Sequence, residues 1–240
     1  GMTLRRPRER GPVVAKREPA MWAEVVWPIV IAVSQLWSVG VLLLPGGRVP
    51  LQIFEPRYLA MIDDALGRGR WIGMVQPVTP ARDPVPADAV LFPVGCAGRI
   101  MSFAENDEGR YLVILAGESR FRIREELSGR GGYRRVVPDW EPFSCDLDGG
   151  PEPDFDRPRL VRAARAFFTA RGLDADSRSL DDLNGPALVT WLAMACPFGP
   201  GEKQALLECA CHAERAATLS SVLELAAHDG RAHGGAPARH

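Results

Sequence analysis

The sequence predicts an α+β fold, in which a small antiparallel β domain is followed by a bundle of helices. Between residues 39 and 143, short apolar or alternating runs are separated by turn signals, which is typical of a barrel or a sandwich. A single helical pattern interrupts these runs at residues 56–66. Beyond residue 158 the apolar residues recur at helical spacing instead. The predicted organisation is a disordered leader over residues 1–35, a β domain over 36–144, a linker over 145–158, a helical bundle over 159–228 and a disordered tail over 229–240.

The apolar run at residues 25–44 has the length of a membrane span, and arginines precede it. Pro28 and the central Ser34 interrupt the run, and β-branched residues dominate it. A buried strand or a loose leader is therefore favoured over a membrane span or a signal peptide. We expect a soluble protein that does not enter the membrane.

Eight strands are predicted in the β domain, each close to a turn signal such as Pro45-Gly46-Gly47 or Asn106-Asp107-Glu108-Gly109. In chain order they are VGVLLL (39–44), RVPLQIF (48–54), WIGMVQP (71–77), AVLFPVG (89–95), GRIMSFAE (98–105), RYLVILAG (110–117), SRFRIREEL (119–127) and YRRVVPDW (133–140).

The stretch LQIFEPRYLAMIDDAL, residues 51–66, predicts a strand, a sharp corner and a helix. Pro56 has no N–H to donate to a strand ladder, but it fits the first turn of a helix. Glu55 lies beside the positive end of that helix's dipole. Apolar residues then recur at helical spacing as far as Leu66, and Gly67 follows as a stop signal.

The helices predicted after the linker also end at stop signals, one at Gly172 and one before Pro197. Their apolar positions are Leu160, Ala164, Phe167 and Phe168 in the first, Leu188, Leu192 and Ala195 in the second, and Leu206, Leu207, Ala210, Leu219, Val222, Leu223 and Leu225 in one or two more.

Composition narrows the classes of function. A formal net charge of −1 gives no general attraction to nucleic acid or to an anionic membrane. The five cysteines form no CxxC motif, and their number is odd. Both features predict reduced thiols and a cytoplasmic location.

Catalytic motifs are absent from the sequence. All four histidines lie in the last thirty residues, far from any nucleophile of the β domain, and no G-x-S-x-G motif occurs. A Ser-Lys dyad needs a buried lysine, yet Lys16 lies in the leader and Lys203 shows no buried setting. No Gly-Lys pair exists to form a phosphate-binding loop. We therefore predict no enzymatic activity, no catalytic residues and no bound cofactor.

The best metal candidate is Glu208-Cys209-Ala210-Cys211-His212. On a continuous helix Cys209 and His212 would share one face, but no second cluster completes four ligands. Small buried thiols on a packed helix explain the pattern more simply, so no metal is predicted.

Three arginines, Arg120, Arg122 and Arg124, alternate with apolar residues in a predicted strand. The period of two puts all three on one face. Such a stripe could bind the phosphates of a nucleic acid or the carboxylates of a peptide. A solvated face of an edge strand is the simpler interpretation, because two glutamates follow Arg124 and weaken the field.

Ten motifs occur in a fixed order along residues 39–227. They are Leu44-Pro45-Gly46, Val49-Pro50-Leu51, Ile53-Phe54-Glu55-Pro56-Arg57-Tyr58 with Met61, Gly73-Met74-Val75, Val94-Gly95-Cys96-Ala97-Gly98-Arg99-Ile100, Asp107 to Tyr111, Arg120-Phe121-Arg122, Leu192-Ala193-Met194, Pro197-Phe198 and Glu202-Lys203-Gln204-Ala205-Leu206-Leu207-Glu208. This set resembles the substrate-binding N-terminal domain of the Lon protease family, in a stand-alone bacterial form without the ATPase and protease modules.

The resemblance implies a PUA-like antiparallel β-barrel with one inserted helix, followed by a helical bundle. It implies a non-enzymatic module that binds unfolded or tagged polypeptides and acts as an adaptor or holdase in protein quality control or proteolysis. An ATP-dependent protease acting in trans is an implied partner. The alternative is a nucleic-acid-binding protein that uses the barrel and the arginine stripe.

Residues 55–58 form the structural signature of this resemblance. It implies that they fix the corner, with Tyr58 packed inside and Arg57 paired with a nearby carboxylate. The chain departs from the family pattern at residues 36–38, where Leu-Trp-Ser replaces a Phe-Pro-Leu-like entry to the first strand. It also lacks the proline that would mark a break after Glu208.

Overall fold

A computed structural model of the chain describes residues 29–33, 41–79, 86, 88–147, 154–173 and 177–233. The strands are β1 (Ile29–Val33), β2 (Arg48–Ile53), β3 (Trp71–Val75), β4 (Val94–Glu105), β5 (Tyr111–Arg130) and β6 (Tyr133–Asp139). The helices are α1 (Pro56–Leu66), α2 (Arg157–Ala170), α3 (Ser177–Asp182), α4 (Gly185–Ala195), α5 (Pro200–Glu208) and α6 (His212–His233), with a 3₁₀ helix at Glu141–Asp146.

The strands form one sheet in the order β2-β5-β4-β3-β1-β6, and β5 also pairs with β6. The long β5 makes this possible, because its first half lies between β2 and β4 while its second half pairs with β6. The sheet therefore closes into a ring of five strands, with β2 as an additional strand on β5. All pairs are antiparallel except β1 with β3, which are parallel. The predicted α+β class with a mainly antiparallel sheet is confirmed.

Several predicted strands need correction. Residues 41–44 form no strand, although their leucines are buried, because β5 is already paired with β2 and β4 on its two edges. The predicted strands at 110–117 and 119–127 are a single strand, since Gly117 accommodates a register shift and not a turn. Most of the predicted strand at 89–95 is loop, and only an isolated bridge at Leu91 precedes β4.

The prediction of a disordered leader is wrong for residues 29–33, which form β1 between β3 and β6. The rest of that leader, and the tail beyond His233, lie outside the described residues. The predicted linker is shorter at both ends, because the 3₁₀ helix runs to Asp146 and α2 begins at Arg157. The last helix continues to His233, five residues into the predicted tail.

Helix α1 has the predicted bounds, with Pro56 at its first position. It buries Tyr58, Met61 and Ile62 against the sheet. Two tyrosines also hold the helix from the strands, since the Tyr111 hydroxyl donates to Asp63 over 3.1 Å and the Tyr133 hydroxyl donates to Asp64.

The helices after the sheet pack mainly through α2, α4 and α6. Their fully buried apolar residues belong to the same hydrophobic cluster as Val49, Ile72 and Leu115 of the sheet, so this core spans sheet and helices. Val75, Ala97, Phe121 and Val136 of the sheet form a second, smaller cluster. The predicted stop at Gly172 and the end of α4 before Pro197 are confirmed. A break also separates α5 from α6 at residues 209–211, despite the missing proline. Among the described residues, no helix is long and apolar enough to cross a membrane.

Candidate functional site

A groove of about 780 Å³ lies between α4 and the segment of residues 41–50 that leads into β2. The segment forms one wall, α4 forms the other, and side chains from β5, the 3₁₀ helix and the start of α6 form the floor. The lining of the groove includes Val41, Leu42, Arg48, Glu118, Asp146, Trp191, Met194 and His212.

The helical wall of the groove is apolar. Helix α4 carries no charged residue along its whole length, and its start is capped by Asn184, whose side chain accepts a hydrogen bond from the Ala187 N–H. Trp191 stands on this wall with 38 % of its surface exposed. An indole that lies outside the core gives a flat contact surface for an apolar partner.

The opposite wall depends on two glycines. A Cβ at Gly47 would lie 2.2 Å from the sulfur of Met194, so glycine leaves room for the Met194 side chain between the segment and α4. A Cβ at Gly117 would lie 2.1 Å from the Leu44 carbonyl oxygen, so glycine is also needed where the segment crosses β5. The close backbone approach at Gly117 sets the position of residues 41–44, and the Met194 side chain packs against the segment at Gly47.

The floor of the groove is polar. Glu118 and Asp146 contribute carboxylates, and His212 contributes an imidazole at the first residue of α6. Burial, with a smaller contribution from nearby Arg215, lowers the pKa of His212, so its neutral form predominates at neutral pH. Its Nδ1 atom is buried without a hydrogen-bond partner among the described residues.

Below the floor, Arg120 joins three parts of the chain, and we call this arrangement the Arg120 clasp. Its guanidinium binds Asp146 in a bidentate pair, through Nε and Nη2 at 2.8 Å each. Its Nη1 donates to the carbonyl oxygens of Leu207, at 3.0 Å, and of Cys209 at the end of α5. The backbone N–H of Arg120 also donates to Asp146, at 3.0 Å. The clasp connects β5, the 3₁₀ helix and the α5–α6 break.

The predicted arginine stripe is wrong, because Arg120 does not reach the surface. Only 1 % of its side chain is exposed, while Arg122 and Arg124 are exposed to solvent. A register shift between Ile123 and Glu125 also interrupts the alternation. The three arginines therefore present no common face to a phosphate backbone.

The signature residues 55–58 lie at the corner between β2 and α1, and none of them lines the groove. Arg57 pairs with Glu55 of the same motif, with Nη2 and Oε2 2.8 Å apart, and its guanidinium lies over the Tyr58 ring. Tyr58 is buried. Their arrangement is that of a structural corner.

Two further sequence interpretations change with the structure. Cys209 caps α5 and His212 begins α6, so the two do not share a helix face, and the described residues contain no cluster of three metal-ligating side chains. Lys203, for which the sequence indicated no buried setting, is buried, and burial lowers its pKa. It does not line the groove.

Comparison with known proteins matches residues 36–224 to the family described as the ATP-dependent protease La (LON) substrate-binding domain. Among curated proteins, Lon protease 2 of Sorangium cellulosum is 31 % identical over 87 residues, 36 % of this chain and 11 % of that protein. Lon protease 2 of Myxococcus xanthus is 34 % identical over 82 residues, 34 % of this chain and 10 % of that protein. The matched part is thus about a tenth of each relative's length.

Two solved structures share the fold. The Lon N-terminal domain protein from Xanthomonas campestris has a TM-score of 0.53 at 22 % identity, covering 82 % of this chain and 98 % of that one. The N-terminal domain of Mycobacterium avium complex Lon protease has a TM-score of 0.54 at 19 % identity, covering 84 % of this chain and 97 % of that one.

Proposed function

The chain belongs to the family of Lon substrate-binding domains, and we propose that it binds unfolded or tagged polypeptides without catalysing a reaction on them. In this proposal it acts as an adaptor or holdase in protein quality control or proteolysis, in the cytoplasm. A protease dependent on ATP and acting in trans is the partner that would degrade the bound chain.

The finer description of the fold, a PUA-like barrel followed by a helical bundle, belongs to the same proposal. The closed ring of five strands supports the first part of this description. The packing of α2 and α4 on α6 supports the second.

The observation that carries the proposal is the groove between residues 41–50 and α4. Its volume of about 780 Å³ is large enough for several side chains of an extended segment. An unfolded polypeptide exposes apolar side chains that a folded protein hides, and burying them gives about 25 cal/mol per Å² of apolar surface. An uncharged helical wall holds such side chains without selecting one sequence, which suits a binder of many unfolded chains.

A second apolar surface competes with the groove as the binding site. Met101, Leu112 and Ile114 on β4 and β5 are exposed by 54, 46 and 40 %. The register pairs Ile114 with Ser102 and Leu112 with Ala104, so these residues stand on the outer face of the sheet. That face is a sheet surface without a second wall, whereas the groove can enclose a side chain on two sides and remove more of its surface from water.

Replacing Trp191 by alanine should weaken the binding of unfolded polypeptide about tenfold, because exposed aromatic anchors contribute most to such contacts. The probe is fluorescently labelled, reduced and carboxymethylated α-lactalbumin, and its dissociation constant is measured by fluorescence anisotropy.

The matched control is Leu225→Ala. This leucine is 64 % exposed on α6 and lies outside the groove. The control should bind the probe like the unmodified protein. Equal affinities for the Trp191 variant and the control would contradict the groove as the site, and no binding of the probe by any form would contradict the proposed function.

A further inference from the structure

We propose that Cys145 and Cys211 are a redox-sensitive pair that forms an intramolecular disulfide beneath the groove. The inference concerns a modification site and does not depend on the proposed function. It arises from a difference among the five thiols in exposure and from a contact between two distant segments of the chain.

Three of the five cysteines are buried. Burial raises the pKa of Cys96 and also raises the pKa of Cys196 to about 12. Cys209 donates its thiol to the Ala205 carbonyl oxygen at 3.2 Å, and burial raises its pKa as well. Thiols in such surroundings are poor nucleophiles and react slowly with oxidants. Only Cys145 and Cys211 are exposed.

The two exposed cysteines are 66 positions apart in sequence but adjacent in the fold. The sulfur of Cys145, in the 3₁₀ helix, lies 3.7 Å from the carbonyl oxygen of Ala210. Cys211 is the next residue, so peptide geometry puts its Cα within about 6.5 Å of that sulfur. In a disulfide the Cα atoms are about 4.4–6.8 Å apart and each sulfur lies closer still to the partner Cα, so the α5–α6 break moves toward the 3₁₀ helix when the bond forms. Ala210 and Cys211 are exposed in the α5–α6 break, which leaves their side chains room to move, while the Cys211 carbonyl oxygen accepts a hydrogen bond from the Arg215 N–H at 3.0 Å.

The Arg120 clasp holds these segments together before any oxidation. Arg120 binds Asp146, the residue after Cys145, and holds the α5–α6 break by donating to the Cys209 carbonyl oxygen. Arg120 Nη2 also lies 3.9 Å from the Cys145 sulfur. The two thiols are therefore kept near each other by the fold itself, which gives an intramolecular reaction a high effective concentration.

The two thiols supply the two electrons that reduce one molecule of hydrogen peroxide, so no further reactant is needed. One thiol loses its proton, its thiolate attacks hydrogen peroxide and becomes a sulfenic acid as the O–O bond breaks, and the leaving hydroxide takes up that proton as the first water. The second thiol then loses its proton, its thiolate attacks the sulfenic sulfur, the S–S bond forms, the S–O bond breaks, and the leaving hydroxide takes up that proton as the second water. Two thiols and one hydrogen peroxide thus give one disulfide and two waters.

The disulfide would join the 3₁₀ helix to the α5–α6 break, the two segments that the Arg120 clasp already holds together. Because it closes a loop between residues 145 and 211, it restricts the conformations of the unfolded chain and raises the stability of the folded protein. The residues that follow the two cysteines, Asp146 and His212, both lie on the groove floor. Oxidation would therefore fix the floor of the groove in one arrangement.

The test treats the purified protein with a slight excess of hydrogen peroxide and counts free thiols in denaturant. The count should fall from five to three, peptide mapping by mass spectrometry should find Cys145 linked to Cys211, and the melting temperature should rise by several degrees and return after dithiothreitol.

Two variants complete the experiment. In Cys211→Ser, peroxide should form no intramolecular disulfide, and the melting temperature should not rise. In Cys196→Ser, the disulfide between Cys145 and Cys211 should still form. A disulfide between two molecules, a different pairing, or oxidation of Cys145 only to the sulfinic acid would overturn the inference. Because none of these measurements involves a polypeptide ligand, their failure is distinct from a failure of the proposed function.

Discussion

Replacing Arg120 by methionine should lower the free energy of unfolding by about 3–5 kcal/mol. Methionine keeps much of the length of the side chain but removes the charge and all its donors. Asp146, whose side chain is only 5 % exposed, would keep a buried charge without its bidentate partner. The carbonyl oxygens of Leu207 and Cys209 would lose their donor as well. Urea denaturation, followed by circular dichroism, measures the change.

A matched control lies two residues further along the same strand. Arg122 is exposed, so Arg122→Met should change stability by less than about 0.5 kcal/mol. The double variant Arg120→Met with Asp146→Leu should recover part of the loss, because it removes both charges of the pair. A loss below about 1 kcal/mol in Arg120→Met would show that the clasp does not join the sheet to the helices.

Replacing Gly117 by alanine should lower the free energy of unfolding by about 3 kcal/mol, which is at the upper end of the range for substitutions that overpack a core. The added Cβ would lie 2.1 Å from the Leu44 carbonyl oxygen and 2.8 Å from its carbon. These are backbone atoms, so no side-chain rotation relieves the clash and residues 41–44 must move. Val41 and Leu42 line the groove, so the same variant should also weaken probe binding.

The control for this substitution is Gly201→Ala in α5. A Cβ there meets no atom within 4 Å, and alanine favours a helix over glycine by up to about 1 kcal/mol. Thermal unfolding should therefore show a lower melting temperature for the first variant and an equal or higher one for the second. Equal melting temperatures for Gly117→Ala and the unmodified protein would contradict the close crossing of residues 41–44 over β5.

Local sequence patterns correctly predicted the elements whose two ends are marked by a residue with a strong conformational preference. Helix α1 has its predicted bounds because Pro56 and Gly67 mark its two ends. The continuity of β5 was harder to predict, since the predicted strand of residues 110–117 ends at Gly117, which in the structure is a point of close approach within one strand. A glycine in a sequence can indicate that a side chain would not fit at that position, but the sequence alone does not identify the neighbouring atom that would clash with the side chain.

The role of Arg120 could not be predicted from its own strand. Alternation correctly separates Arg120 from Phe121, but the side of the strand that carries Arg120 is covered by the 3₁₀ helix and the end of α5. Its partner Asp146 is 26 residues further along the chain and fell in the predicted linker. Only tertiary structure decides that this arginine is buried while Arg122 is not.

The groove could not be predicted from the sequence, because its two walls, residues 41–50 and α4, are about 140 positions apart in the chain. One signal was present in α4, where Trp191 departs from the apolar positions Leu188, Leu192 and Ala195 that predict the buried face. An aromatic residue beside that face, on a helix without charges, indicates an apolar surface that the core does not use.

Hydrogen–deuterium exchange of the protein, with and without saturating carboxymethylated α-lactalbumin, tests the central claim most directly. We expect slower exchange of amides in residues 41–50 and 185–195, and unchanged exchange at 101–105 and 112–114 on the outer face of the sheet. Protection of the outer face with unchanged exchange along the groove would contradict it, and would assign polypeptide binding to the strands β4 and β5.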